Sequence, residues 1–190
     1  MLKFSILILT ITFQPICAQS DGFDNTPVQK DSGYRVHDKD RPSPPKVPKV
    51  SAVTTPAPSD ATALFDGTNI DAWKGNWKIN NSILIASPRG LATKEHFGKV
   101  QLHLEFRIPK DRKVISQKGA NSDVFMMGLF EIQVQESHSN KTYADGQAGA
   151  LYGQHPPLVN TSTPQEAWQS YDIFLNHQSS KIKQLLKKLS

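Results

Sequence analysis

The chain has 190 residues and carries 22 lysines and arginines against 17 aspartates and glutamates, a formal net charge of +5. This length allows one domain, or two only if both are small. Five of the lysines lie in the first three and the last ten residues, so the stretch 19–177 has 17 bases and 17 acids and is neutral. A neutral stretch lacks the basic patch that nucleic acid requires, and we therefore expect no nucleic-acid partner.

Residues 1–18 have the pattern of a secretory signal peptide. A lysine precedes the apolar run Phe4–Phe13, which is too short to span a bilayer, and we place the cleavage site after Ala18. The pattern predicts an exported protein, periplasmic or extracellular. A lipid anchor through Cys17 is the less favoured alternative, because Ile16 is bulkier than that processing prefers. Cleavage also removes the single cysteine, so no disulfide is expected in the mature chain.

Residues 19–58 show neither helical nor strand periodicity. Six prolines lie between positions 42 and 58. Proline at this density fixes φ and favours extended polyproline segments, so the sequence predicts an unstructured, proline-rich linker that acts as a stiff spacer.

From Ser59 onward, short β-branched and aromatic segments alternate with glycine, asparagine and aspartate, which is typical of an all-β domain. The first predicted pair of strands is centred on Asn80–Asn81. Strands are predicted within the ranges 77–87, 99–108, 123–137 and 168–175. No window before residue 178 has a helical period, whereas residues 178–190 place leucines and lysines at helical spacing. That tail could bind a membrane surface or a partner, or be a non-native end.

Two of these strands have one apolar face and one polar face. The side chains predicted to point inward are Leu102, Leu104, Phe106, Phe130, Ile132 and Val134, and the opposite faces carry Gln101, His103, Glu105, Glu131, Gln133 and Gln135. Amides beside carboxylates suit sugar hydroxyls, which need donors and acceptors. Glu105 and Glu131 are also a candidate carboxylate pair for glycosidic chemistry. Ordinary solvent-facing strands carry glutamates too, so the pattern leaves both interpretations open.

The stretch 140–160 combines glycines with side chains that can hydrogen-bond, which is typical of a ligand-binding loop, although it could simply cross between sheets. The candidate ligand-binding residues here are Tyr143, Asp145, Gln147, Tyr152 and Gln154. A turn at 119–123 could present Asn121. The histidines have no metal-ligand spacing, so the sequence does not define a metal site.

Several runs of sequence resemble one known family. They are ALFDGTNIDAW (63–73), TKEHFGKVQLHLEF (93–106), GANSDVFMMGLFEIQVQES (119–137), NKTYADGQAGALYGQHPPLVN (140–160) and WQSYDI (168–173). These segments resemble the 3-keto-disaccharide hydrolase domain family, and residues 34–47 resemble the run that precedes the domain in many members. The resemblance implies a concanavalin A-like β-sandwich, or jelly roll, in an exported bacterial protein that acts on an oligosaccharide or keto-sugar substrate.

The resemblance also implies a chemistry. A carbonyl at sugar C3 acidifies the C2 proton, so a base can form an enolate that expels the leaving sugar, after which water adds. We expect Glu105 and Glu131 to act as base and acid, with His103 assisting. The residues expected to hold hydroxyls are Asn121, Gln133, Tyr143, Asp145, Gln147, Tyr152 and Gln154. A divalent cation could replace the enolate donor, but the sequence does not fix its ligands.

The family continues with further strands where this chain passes into residues 178–190, which resemble nothing in it. We therefore expect a truncated or frameshifted member, with a partial domain over 59–177 whose sandwich is incomplete at the C-terminus and whose activity is in question. Two alternatives stay open. One is a non-catalytic, lectin-like carbohydrate-binding module on the same fold. The other is a conventional retaining glycosidase with Glu105 and Glu131 about 5 Å apart.

Overall fold

The computed structural model of the chain describes residues 22–48, 56–110 and 112–176. The predicted signal peptide at 1–18 and the tail at 178–190 lie outside the described residues. Among the residues that are described, no helix is long and apolar enough to cross a membrane.

The described chain consists of short β-strands. They are β1 (Trp73–Lys74), β2 (Lys78–Asn80), β3 (Ile83–Ile85), β4 (Ala92–Thr93), β5 (Val100–Phe106), β6 (Asn121–Met126), β7 (Phe130–Gln135) and β8 (Gln169–Leu175), with a 3₁₀ helix at Ala144–Gly146. All pairs are antiparallel, in the combinations β1–β4, β2–β3, β5–β8 and β6–β7. The prediction of an all-β chain is confirmed.

Two hairpins follow from local turn geometry. Asn81 and Ser82 have φ values of 49° and 58°. A two-residue hairpin loop needs positive φ at both positions, because only then does its twist match the right-handed twist of the flanking strands. This confirms the predicted pair of strands, with the turn one residue later than expected. Met127 and Gly128, with φ values of 56° and 67°, reverse the chain between β6 and β7. The sequence predicted one strand within 123–137, and the structure has a hairpin there.

Tyr171 joins the two longest sheets. It lies opposite Leu104 in the β5–β8 pair, and its hydroxyl donates a 2.8 Å hydrogen bond to the carbonyl of Gln133 in β7. Burial raises the pKa of Tyr171, so the hydroxyl remains a donor. The apolar face of β5–β8 is therefore the one that approaches β7. The buried apolar side chains of the described residues include Ile108, Met126, Val134, Tyr143, Ala144 and Ala150.

Both faces of β7 are covered. Val134 is buried on the apolar face as predicted, but Gln133 and Gln135 on the opposite face are only 1% and 0% exposed. The expectation that this polar face is a sheet surface is wrong at these two positions. Ser116 and Gln117 pack over this face and bind both amides. Gln133 donates to the Gln117 side chain at 2.7 Å, and Gln135 donates to the carbonyl of Ser116 at 2.5 Å.

The prediction of an unstructured linker is wrong for residues 22–48. This segment is bound to the domain by a parallel β-bridge between Lys46 and Asn160. In this bridge the amide of Val47 donates to the carbonyl of Asn160 at 3.2 Å, and the amide of Asn160 donates to the carbonyl of Pro45 at 2.9 Å. The side chain of Lys46 also donates to the carbonyl of His138 at 2.8 Å. Proline fixes an extended backbone, and an extended backbone can pair with a neighbouring strand as well as remain solvated.

Candidate functional site

A pair of carboxyl groups lies on the polar face of the β6–β7 hairpin. Asp123 is opposite Gln133 and Phe125 is opposite Glu131, so Asp123 and Glu131 are diagonal neighbours on one face. Burial, together with the hydrogen bond to Asp123 and its negative charge, raises the pKa of Glu131 to about 7. Glu131 is half-buried and Asp123 is exposed, so the pair is accessible from solvent. A carboxyl with this pKa can accept or donate a proton near neutrality.

Two tyrosine hydroxyls lie beside this pair. The hydroxyls of Tyr143 and Tyr152 are 2.5 Å apart, and the amide of Tyr152 donates to the carbonyl of Glu131 at 2.9 Å. Burial raises the pKa of both tyrosines, and the nearby charge of Glu131 adds to the effect. Both phenols therefore stay neutral and able to donate hydrogen bonds. Tyr143 is fixed by close packing, because a Cβ at Gly146 would be 2.2 Å from its Cε2.

A buried aspartate, Asp145, contacts the histidine that packs against both tyrosines. Asp145 is 0% exposed, and both of its carboxylate oxygens contact His37. The His37 amide donates to Oδ2 at 3.0 Å, and the His37 Nδ1 lies 3.2 Å from Oδ1. Burial by itself would raise the pKa of Asp145, but these contacts with His37 outweigh it and lower the pKa. The His37 ring packs against Tyr143 and Tyr152, with centroid distances of 4.0 Å and 4.8 Å.

A buried layer of amides joins β7 to the turn that carries these residues. Gln117 accepts from Gln133, and it donates to the Thr142 hydroxyl at 2.7 Å and to the Gly146 carbonyl at 2.8 Å. In this way one side chain connects the strand of Glu131 to the 3₁₀ helix of Asp145. This hydrogen-bond network therefore contributes, together with the packing around Tyr143, to the relative placement of the carboxyl pair and the tyrosine pair.

A second polar cluster lies on the β5–β8 sheet. His103 Nδ1 is 2.8 Å from Asp172 Oδ1, and His103 Nε2 is 3.8 Å from Glu105 Oε1. Side chains alternate along a strand, and Leu104 and Tyr171 occupy the face that approaches β7. His103 and Glu105 therefore point away from β7 and do not join Glu131.

The structure thus divides the predicted site residues. Glu131, Tyr143, Asp145 and Tyr152 come together, with the buried Gln133 beneath them. Asn121 and Gln154 are exposed, and Gln147 is buried and accepts a 3.4 Å hydrogen bond from the Asn160 amide. Across the described ranges, no group of three or more histidine, cysteine, aspartate or glutamate side chains is arranged to hold a metal ion.

Sequence reasoning missed three residues of these clusters. Asp172 is the cross-strand partner of His103, and Asp123 belongs to strand β6, which was not predicted as a separate strand. The alternation of Asn121, Asp123 and Phe125 on one side of β6 is the signal that could have shown it. His37 is 108 residues from Asp145, and no local pattern marks such a contact.

Comparison with solved structures supports the β-sandwich class. A structure from Parabacteroides distasonis ATCC 8503, whose own assignment as a glycosyl hydrolase is provisional, is 34% identical in sequence and superposes with a TM-score of 0.60. The match covers 62% of this chain and 53% of that one, so the chain spans about half the length of that structure. The predicted β-sandwich fold is confirmed at this level. A comparison with curated proteins finds no match.

A family model also matches most of the folded chain. Residues 60–184 match the model of the 3-keto-alpha-glucoside-1,2-lyase-like domain, which is more than half of the sequence and extends beyond residue 177, where we had placed the departure from the family. The resemblance found in the sequence motifs is thereby confirmed, and the domain is of a carbohydrate-related, glycosyl hydrolase-like type. The chain belongs to the 3-keto-alpha-glucoside-1,2-lyase-like domain family.

Proposed function

We propose that this domain, in an exported protein, cleaves the glycosidic bond of 3-keto-glucosides by elimination. The base takes the proton from C2, and the electrons of that bond form an enolate with the C3 carbonyl. When the enolate collapses, the C3 carbonyl is restored, a C1–C2 double bond forms, and the C1–oxygen bond to the leaving group breaks. Addition of water to the unsaturated product would complete a net hydrolysis.

Glu131 is the proposed base. The observation that carries the proposal is its position, diagonal to Asp123 on one face of the β6–β7 hairpin and joined through its backbone carbonyl to Tyr152, whose hydroxyl bonds Tyr143. A base with a pKa of about 7 is partly ionised at neutral pH and strong enough to remove a proton acidified by a neighbouring ketone. After the transfer, Glu131 carries the proton and can deliver it to the departing oxygen. This assigns both proton transfers to one side chain, in place of Glu105 and Glu131 together.

The tyrosine pair is the proposed donor to the enolate oxygen. Preorganised donors aimed at a developing negative charge stabilise it most when they need no reorganisation. Tyr143 and Tyr152 are bonded to each other, so one hydroxyl has a proton to give to a substrate oxygen. Their raised pKa values keep both phenols protonated, as this role requires.

The geometry favours this route over a retaining glycosidase. A retaining mechanism needs carboxyl groups about 5–5.5 Å apart with the sugar between them. Asp123 and Glu131 lie on the same face of one hairpin, so a sugar held against that face does not come between them, while Glu105 is on a sheet face that points elsewhere. Elimination from a keto-sugar needs one base and a hydrogen-bond donor, which this site supplies.

A labelled substrate tests the proposal. The full chain is incubated with a nitrophenyl 3-keto-α-glucoside carrying deuterium at C2, and with the unoxidised glucoside as control. We expect release of nitrophenol only from the keto-sugar, with a primary isotope effect and loss of deuterium to water. Cleavage of the unoxidised glucoside, or product that retains its deuterium, would refute elimination. Binding of either sugar without any product would instead favour a lectin-like module.

A further inference from the structure

The N-terminal segment 22–48 touches the candidate site through side chains as well as backbone. Gln29 donates from its amide to the carbonyl of Gly153, and Arg41 donates from Nη1 to the carbonyl of Gln154 at 3.2 Å and to Gln29 Oε1 at 3.0 Å. These contacts hold the segment against the turn that follows Tyr152. The segment is therefore anchored at the candidate site itself.

His37 makes the most consequential of these contacts. Asp145 is completely buried, and both of its oxygens contact His37. A buried carboxylate without partners is strongly disfavoured, so the ionised form of Asp145 depends on this segment. The same histidine ring packs against both tyrosines, which limits how far either phenol can rotate.

We propose that His37 is a positioning residue of the active site, and that residues 22–48 are therefore part of the catalytic unit. This inference rests on the proposed function, because it assigns His37 the task of aiming the tyrosine pair at the substrate. His37 acts through Tyr143, Tyr152 and Asp145. Misplacement of a reacting group by about 1 Å can cost on the order of 100-fold in rate.

The test compares His37→Ala with His96→Ala in the full chain, since His96 is an exposed histidine in a loop. We expect His37→Ala to lower kcat roughly 30-fold or more, with a much smaller change in KM, and His96→Ala to match the wild type. His37→Ala keeps the backbone amide that donates to Asp145 Oδ2, but it leaves Oδ1 of this buried, charged carboxylate without its side-chain partner. A His37→Ala/Asp145→Asn double variant removes that charge, and we expect it to regain stability but to stay slow. Wild-type turnover in either His37 variant would overturn the proposal.

A spectroscopic measurement keeps the inference separate from the proposed reaction. The chain has four tyrosines, so protein labelled with 3-fluorotyrosine gives four fluorine NMR signals, which Tyr143→Phe, Tyr152→Phe and Tyr171→Phe assign. We expect His37→Ala to shift and broaden these two signals while that of Tyr171 stays in place. If the wild type proves inactive on keto-sugars, this result still supports positioning. Unchanged signals for Tyr143 and Tyr152 would overturn it regardless of activity.

Discussion

Replacement of Glu131 by glutamine should stabilise the protein and inactivate it. The carboxyl of Glu131 is hydrogen-bonded to that of Asp123, and both groups cannot be ionised there without repulsion. A glutamine of nearly the same shape can donate its amide proton to Asp123 at every pH. It keeps the hydrogen bond, removes the charge conflict, and cannot act as a base.

The size of the effect follows from the pKa of Glu131, which is raised from 4.5 to about 7. Below pH 4.5 the group is protonated in the folded and the unfolded states. As the pH rises to 7 only the unfolded state ionises freely, so the free energy of unfolding of the wild type falls. At 1.36 kcal/mol per pKa unit the loss is at most about 3 kcal/mol. Because Glu131 is partly exposed, solvent screening reduces it to about 1–2 kcal/mol.

Urea unfolding followed by tryptophan fluorescence measures this difference at several pH values. We expect Glu131→Gln to match the wild type near pH 4 and to be more stable by about 1–2 kcal/mol near pH 8. Turnover of the keto-sugar should fall by roughly 100-fold or more. Glu95→Gln, which removes one exposed charge, controls for net charge. A stability difference that is equal at both pH values, or absent at pH 8, would refute the assigned carboxyl pair.

Three further substitutions test the rest of the fold and the site. Tyr171→Phe removes a buried hydrogen bond to a β7 carbonyl and should cost about 1 kcal/mol in urea unfolding, whereas an unchanged midpoint would contradict the contact. Gly146→Ala places a Cβ 2.2 Å from Tyr143 Cε2, so we expect a loss of about 1–3 kcal/mol in the same assay together with lower turnover. Glu105→Gln should keep turnover of the keto-sugar within about twofold, since general acid–base catalysis requires hydrogen-bond reach of the substrate. A large loss would return Glu105 to the catalytic role.

The strands that sequence analysis predicted correctly are those whose pattern is local. β5 alternates apolar and polar residues, and alternation is a property of a single strand. β8 contains Tyr171, Ile173 and Phe174, residue types that are enriched in strands. β6 was merged with its neighbour because Met127 and Gly128 do not resemble a common turn dipeptide. Tyr143, Asp145 and Tyr152 were proposed as site residues because hydrogen-bonding side chains are dense in their loop, and the structure brings these three together. The packing of that loop over β7 was not predictable, because it is a tertiary contact.

The error over residues 22–48 has a similar cause. Proline density predicts an extended backbone, but it does not decide whether that backbone is solvated or docked. The docking is decided by partners far along the chain, Asn160 for the backbone and Asp145 for His37. Only the motif-level resemblance of residues 34–47 to the run preceding the family's domain hinted that this segment belongs with the domain.

The composition of the interior links stability to chemistry. Among the described residues, ten buried side chains are polar or charged, and seven are apolar when Pro44 is counted. An interior of this kind is held by paired hydrogen bonds, and each group left without a partner costs about 1–3 kcal/mol. Asp145 obeys this rule, because both of its carboxylate oxygens contact His37. Glu131 departs from it, because its partner Asp123 carries the same charge. A carboxyl kept at a cost in stability, beside two neutral phenols, is best explained by a role in proton transfer.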